Sequence, residues 1–417
     1  MPEITSETLI LELARSLHAC GSPAYELDQR MEQVAASLGR SATFFSTPTA
    51  LFVTFDDDEA QGTRLLRVYP SDTNLRRYAE LFELQAAIRN EGLQPREAFE
   101  RLKEINEASD GYGMSIEVIA FGIAGACVAV LVGGNSTVIL SSGMIGLIVG
   151  GLVIGLTYLR VQTHLINVIA GFVASAIACG IQVVATSSNF ELTAVSALIV
   201  LVPGLHLTIS INELATQNLA SGSARISGAL TTLLTMIFGV YMGHGLVDGF
   251  TSIPRSVTPI TPTFAMSAAV VVPTALCFAV LFRTRYRDIP WLLLASLVSY
   301  TSLRLAAEFF SSFAAVWIAS VVAGMVSHFV TNRLRLPSAV MLMPALILLV
   351  PGSIGFSGMA QIIFRDDLPG GMRLIATMML TAVAIVAGLL LTDAITPNYQ
   401  QLGKDRHSGD HSSRMPH

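Results

Sequence analysis

Charge is scarce in this sequence: Asp, Glu, Lys and Arg make up 13% of 417 residues, while 52% are hydrophobic, against about 25% charged in an ordinary soluble chain. So little charge excludes a protein that is soluble throughout, and lipid is the solvent for most of the chain. The deficit is local. Residues 1–115 hold 11 Lys/Arg and 19 Asp/Glu, whereas residues 116–395 hold 11 and 9, so a polar domain at 1–115 precedes a membrane domain. Clustered Lys/Arg is missing from the polar domain, whose balance is −8, and this argues against nucleic acid as a partner. Cysteine is sparse as well. Cys20, Cys127, Cys179 and Cys277 stand singly, so neither a disulfide framework nor a metal site is expected, and no cofactor. The first long apolar run begins only at Ile116, behind an acidic helical stretch, so no cleavable signal peptide is expected.

In the polar domain, Leu9, Ile10, Leu13, Leu17 and then Leu27, Met31, Val34, Leu38 recur at three- and four-residue steps, which predicts two amphipathic helices. Gly21, Ser22 and Pro23 separate them, with Pro23 suited to a first helical turn. Short β-prone runs at 42–45, 51–55 and 63–69 and helices at 74–90 and 95–105 complete a small α/β domain. The acids Asp56, Asp57, Asp58 and Glu59 read as a solvated hairpin tip, because oxygen-ligand loops space their carboxylates at alternate positions. His18 is a lone histidine on a helix, read as structural. No nucleophile and base set is present, so no enzymatic activity is expected.

A hydrocarbon core of about 30 Å takes about 20 apolar residues per helix. Ten such segments can be placed, at 116–134, 138–157, 165–186, 192–211, 227–247, 264–282, 289–308, 313–331, 338–352 and 372–393. Two carry nearly the same motif: residues 198–204 (LIVLVPG) and 346–352 (LILLVPG) agree at six of seven positions and lie 148 residues apart. The same offset carries Gly222 onto Gly370, Arg225 onto Arg373 and the first segment onto the sixth. The expected architecture is thus an α-helical polytopic membrane protein of two five-helix repeats, 116–250 and 264–395, with a disordered tail at 396–417. An odd number of spans per repeat makes the repeats inverted. Ten Lys/Arg fall in loops on the side of the polar domain and three, Arg255, Arg365 and Arg373, on the other, which places both termini in the cytoplasm of a plasma (inner) membrane. Arg283, Arg285 and Arg287 read as a topology anchor.

Helices broken by Pro and Gly at matching positions of inverted repeats are a signature of secondary transporters, since they expose backbone groups where the chain lines a cavity. The candidate substrate-binding or coupling residues are Pro203, Gly204, Pro351 and Gly352 at the breaks, with Asn212, Glu213, Arg225 and Arg373. A zwitterion needs a partner of each sign and a hydroxyl acceptor, which Glu213, Arg225, Asn212 and Ser210 offer; Glu213 or His206 can titrate. The alternative for this stretch is an amphipathic interfacial helix. At the repeat offset Glu213 meets Gln361, so any role it has is asymmetric. Glu213→Gln and Pro203→Ala are expected to abolish transport while leaving membrane insertion intact.

Leu9 to Phe55, including LHACGSPAYE at 17–26 and Thr47, Pro48 and Thr49, followed by Val202-Pro203-Gly204, Asn212-Glu213, LASGSAR at 219–225 and the second Val-Pro-Gly, resembles the threonine/serine exporter family. The resemblance runs over about 6–395. It implies a cytoplasmic domain fused to ten membrane helices, exporting threonine and serine at the expense of the proton gradient. The family usually has Asp where this chain has Glu213. Its partners are the solute, protons and membrane lipid, with a homo-oligomer left open. Related systems imply a rival, export of a succinate-like dicarboxylate, for which Arg225 and Arg373 are the favoured ligands. A membrane-tethered hydrolase is a third reading, and it lacks a nucleophile motif.

Overall fold

The computed structural model describes residues 5–56, 62–68, 73–108, 111–252, 260–334, 336–349 and 352–396. Pro351, most of the acidic run at 56–59, Arg255, Arg335 and the tail beyond Thr396 lie outside them. The amino-terminal unit opens with α1 (Ser6–Ala19) and α2 (Ala24–Ser37). Gly21, at φ +85°, makes the left-handed turn between them, and Pro23, extended at ψ 147°, starts α2. An antiparallel meander follows, β1 (Ala42–Thr47), β2 (Ala50–Phe55) and β3 (Thr63–Arg67), in which Thr47 pairs with Ala50 across a two-residue turn. Phe44, Leu51, Val53 and Phe55 alternate inward onto Leu9, Leu13, Leu27 and Met31, as the period of two in a strand requires. Then come α3 (Leu75–Glu91), capped by the Asn74 side chain, and α4 (Pro95–Glu107) with proline at its start.

The rest is helical: α5 (Met114–Leu131), α6 (Ser136–Tyr158), α7 (Thr163–Val184), α8 (Phe190–Ala197), a 3₁₀ turn Ile199–Leu201, α9 (Gly204–Ala215), α10 (Leu219–Asp248), α11 (Phe264–Leu281), α12 (Ile289–Phe309), α13 (Ser312–Leu334), α14 (Ser338–Leu349), α15 (Gly352–Arg365) and α16 (Leu368–Ile395). Among the described residues nine helical spans are long and apolar enough to cross a membrane, α14 and α15 counting together as one (Ser338–Arg365), or ten when α8 and α9, bent by 56° at their break, also count as one span. Close approach of α7 and α10 rests on Gly171, Gly239 and Gly243, where any Cβ would run into backbone of the opposing helix; small residues serve membrane helices this way.

Helix pairings recur between the halves. The contacts α5–α6, α6–α8, α7–α10 and α9–α10 are matched by α11–α12, α12–α14, α13–α16 and α15–α16. Contacts across the halves are reciprocal: α5 meets α11, α9 meets α16 as α15 meets α10, and α8 meets α15 as α14 meets α9.

The amino-terminal unit sits on this bundle. Its core continues into Leu205 of α9 and Ala339, Val340 and Met343 of α14. The first amides of α3 cap the end of α11, Leu75 N–H donating to Phe282 O at 2.9 Å and Arg76 N–H to Arg283 O at 3.1 Å. Beside them the arginine cluster is paired: Arg285 and Arg287 both donate to Glu83, and Arg285 also to Asp288 at 2.7 Å. These arginines thus tie α3 to the loop before α12, a docking role their sequence does not reveal.

Candidate functional site

Proline at 203 removes a backbone donor, and the chain turns there before α9 resumes at Gly204. The two breaks meet. A Cβ on Gly352 would lie 2.7 Å from Val202 Cγ1 and 3.2 Å from the Gly204 Cα, so this contact needs glycine. Beside it is a cavity of about 100 Å³ lined by Val202, Pro203, Gly204, His206, Gly352 and Ser353, with Thr73 and Phe282 also on its wall. It has room for about three waters at ~30 Å³ each, less than the ~300 Å³ at which small-molecule sites begin.

Nine residues along α9 from Gly204, roughly 13 Å at 1.5 Å each, stands Glu213, fully buried. Its carboxylate receives four donors. Arg225 of α10 makes a two-pronged contact, Nη2 to Oε1 at 3.0 Å and Nε to Oε2 at 3.1 Å. The Ser221 hydroxyl donates to Oε2 at 2.9 Å. The fourth donor comes from the amino-terminal unit: the Ala24 amide, at the first turn of α2, reaches Oε1 at 3.1 Å. Next to it the Asn212 Nδ2 donates to the Tyr25 hydroxyl at 3.0 Å, and Asn212 Oδ1 is buried without a partner.

Two titratable groups face this cluster from the amino-terminal unit. His18 Nε2 is 2.7 Å from the Thr47 carbonyl, which can only accept, so Nε2 carries the hydrogen and Nδ1 is a bare, buried acceptor without a partner. Burial holds the imidazole below its ordinary pKa; the Thr47 bond opposes this, and the Arg225 charge adds to the lowering. Asp28 is pushed up to about 6, first by burial, against the bond its Oδ2 accepts from Ser46 N–H at 3.3 Å, and its Oδ1 has no partner.

The structure therefore brings Asn212, Glu213 and Arg225 into one cluster and Pro203, Gly204 and Gly352 into another. Arg373 joins neither. It is exposed on α16, 20 residues and roughly 30 Å before Asp393, the acid whose charge reaches Tyr25. At the Glu213 offset, Gln361 donates to Asp367 at 2.5 Å. Sequence reasoning missed Ala24, Tyr25, His18 and Ser221 as parts of the cluster; the signal was the helix start after Gly21-Ser22-Pro23, whose first amides need an acceptor. At the opposite ends of the helices, Glu191 and Arg365 form a second two-pronged pair at 2.9 and 2.8 Å, beside the clustered rings of Phe190, His244 and Phe364, which meet tilted or edge to face.

Two family models match this sequence, both described as threonine/serine exporter, one over residues 8–247 and one over 267–395. Among curated proteins it is similar to pheromone-regulated membrane protein 10 of Pichia sorbitophila, 22% identical over 361 residues covering 84% of this chain and 36% of that protein. It is also similar to the threonine/serine exporter of Corynebacterium glutamicum, 24% identical over 332 residues, 78% of this chain and 68% of that protein. A Candida albicans protein named pheromone-regulated membrane protein 10 is 21% identical over 360 residues, 84% and 32% of the two chains. The chain thus spans about a third of the length of the fungal relatives it matches. No solved structure matches it.

Proposed function

The chain belongs to the threonine/serine exporter family, and on that footing we propose that it exports small hydroxy amino acids, threonine and serine, from the cytoplasm across the inner membrane, driven by the proton gradient. The observation that carries this reading is the Glu213–Arg225 pair, two opposite charges held within 3.1 Å where α9, the helix after the break, meets α10. A zwitterion has an ammonium for the one and a carboxylate for the other, and the Ser221 hydroxyl, bonded to Glu213, and the Asn212 side-chain amide are the nearby partners for a solute hydroxyl. Removing water strengthens both contacts. Glu213 and Arg225 form the cytoplasmic entrance, and the cavity lined by Pro203, Gly204 and Gly352 is the next station, widening as the helices part.

We read residues 1–115 as a cytoplasmic domain and 116–250 and 264–395 as inverted repeats related by a two-fold axis in the membrane plane, with both termini cytoplasmic. The reciprocal pairings α9–α16 with α15–α10 and α8–α15 with α14–α9 support a two-fold, because such an axis exchanges the members of each pair. The odd helix count per repeat and the distribution of Lys/Arg support its direction. Alternating access is then a rocking of one repeat against the other, with Glu191–Arg365 separating when the outer side opens. For proton coupling, His18 and Asp28 are the titratable groups of the amino-terminal unit that face the entrance.

A dicarboxylate needs two cationic partners, and Arg373 stands too far from Arg225 to supply the second. Reconstitution in liposomes with counterflow of labelled threonine, serine and succinate separates the two solutes. Threonine and serine exchange, stimulated by an opposing proton gradient, is the expected outcome; exchange of succinate alone refutes the assignment.

A further inference from the structure

Glu213 has no acceptor position to spare. Both oxygens already receive two donors each, so a solute ammonium binds there only if one donor leaves. Three of the four, the Ser221 hydroxyl and the two Arg225 nitrogens, sit on α10, joined to α9 by a short turn in which the Asn218 amide donates to the Glu213 carbonyl at 2.8 Å. The fourth, the Ala24 amide, comes from 189 residues away, in the amino-terminal unit. It is the donor that can leave.

Chemistry makes Ala24 a stand-in for an ammonium. The first amides of a helix have no partners within it and carry the positive end of its dipole, so the start of α2 presents partial positive charge and N–H to Glu213. The seat around it is incompletely satisfied. Asn212 Oδ1, Asp28 Oδ1 and His18 Nδ1 are all buried without partners, each with a desolvation cost that a permanent interface has reason to remove. Meanwhile α3 is tied to α11 and the arginine loop by its own contacts, whereas the start of α2 meets the bundle through Ala24 on Glu213 and Tyr25 on Asn212.

We propose that the start of α2, through Ala24 and Tyr25, is the cytoplasmic gate of the transport path, and that the Ala24 amide occupies on Glu213 the place an amino-acid ammonium takes during export. The amino-terminal unit then competes with the solute for one carboxylate oxygen. This rests on the reading of Glu213 and Arg225 as the entrance site.

Ala24→Pro tests it on the whole chain in liposomes. Proline suits the first position of a helix, and Pro23 before it already has the extended conformation that a following proline demands. The variant loses the amide hydrogen and sets a ring carbon in its place, so α2 starts as before but cannot seat on Glu213. Competition predicts that the apparent KM for threonine falls at least threefold; an unchanged or raised KM in a folded variant overturns the gate. Should Ala24→Pro fail to fold, a second arrangement decides. With Tyr25 and Asp393, the acid of α16 whose charge reaches Tyr25, both replaced by cysteine in a chain lacking its four native thiols, a bifunctional methanethiosulfonate is expected to arrest export, and a reductant to restore it. Export by the linked protein at the unlinked rate overturns the gate. Glu213→Gln, measured alongside, isolates the underlying reading: unchanged threonine KM and rate there refute the entrance site itself, whereas lost export there with normal export by the linked protein refutes only the gate.

Discussion

Replacing Glu213 by Gln keeps the side-chain volume and removes the charge, and the geometry sets the cost. All four partners of the carboxylate are donors. A Gln offers one oxygen and one NH₂, so whichever way the amide turns, two donors face a third. Two charge-assisted bonds are lost, at about 1.5–3 kcal/mol each. By a separate route, removing one partner of a buried ion pair costs about 3–5 kcal/mol because the other charge is left uncompensated. Arg225 is only 15% exposed and Glu213 is 0%, so water does little to relieve it. The two figures agree, and they are large against a total stability of about 5–15 kcal/mol.

The chain supplies its own assay, since Cys20, Cys127, Cys179 and Cys277 are all free and buried. A fluorogenic maleimide brightens as heating exposes them, and Glu213→Gln is expected to melt several degrees below the unmodified protein. Arg225→Gln should do likewise. The double variant leaves no unpaired charge, so it should be more stable than the sum of the single losses by about 1.5 kcal/mol or more. Melting of Glu213→Gln at the unmodified temperature, or an additive cycle, refutes the four-donor account. Lost export in Glu213→Gln then has to be judged at a temperature where both proteins are folded.

Asp28 is raised from 3.8 to about 6, so its contribution to stability is full below pH 3.8 and is lost as pH rises through about 6, at most about 3 kcal/mol; Asp28→Asn should therefore raise the melting temperature at pH 7.5 and leave it unchanged near pH 4, and an equal effect at both refutes this. Gly243→Leu should drive α7 from α10 by overpacking, at about 1–3 kcal/mol or more, whereas Gly245→Leu, where a Cβ meets nothing within 4 Å, should not; equal melting of the two shows that the helices do not depend on this contact. Single cysteines at Asn135 and Ser311 should react with an impermeant thiol reagent from outside and one at Arg285 should not, and the reverse pattern refutes the proposed orientation.

Much of the fold was legible because its causes are local. The break between α1 and α2 is written in Gly21, Ser22 and Pro23, the meander in alternating apolar residues, and the membrane helices in run length. The twin Val-Pro-Gly motifs announced two broken helices, and the structure puts Gly352 against Gly204. The site was legible only where side-chain chemistry carried it. Glu213 and Arg225 stand out as charges in an apolar region, but the Ala24 amide is a group every residue except proline possesses, and no composition marks it. His18 has no neighbour in sequence to suggest that it faces Arg225. The Glu83 partnership of Arg285 and Arg287 spans 202 and 204 residues, and each charge has many acceptable partners.

The repeat offset misleads for a physical reason that Glu213 and Arg373 share. The end of α9 lies beneath the amino-terminal unit, so a carboxylate there is removed from water and must be matched by Arg225, Ser221 and Ala24. Among the described residues the corresponding end of α15 has no such cover: Arg365 and Asp366 are exposed beside it, Gln361 bonds Asp367, and Arg373 is exposed. Positions matched by the sequence offset therefore have different surroundings, and the side chains differ with them. The asymmetry of Glu213 against Gln361 goes with the helix end that the amino-terminal unit covers, and the Glu213–Arg225 pair stands at an end where burial makes such a pair both costly and strong.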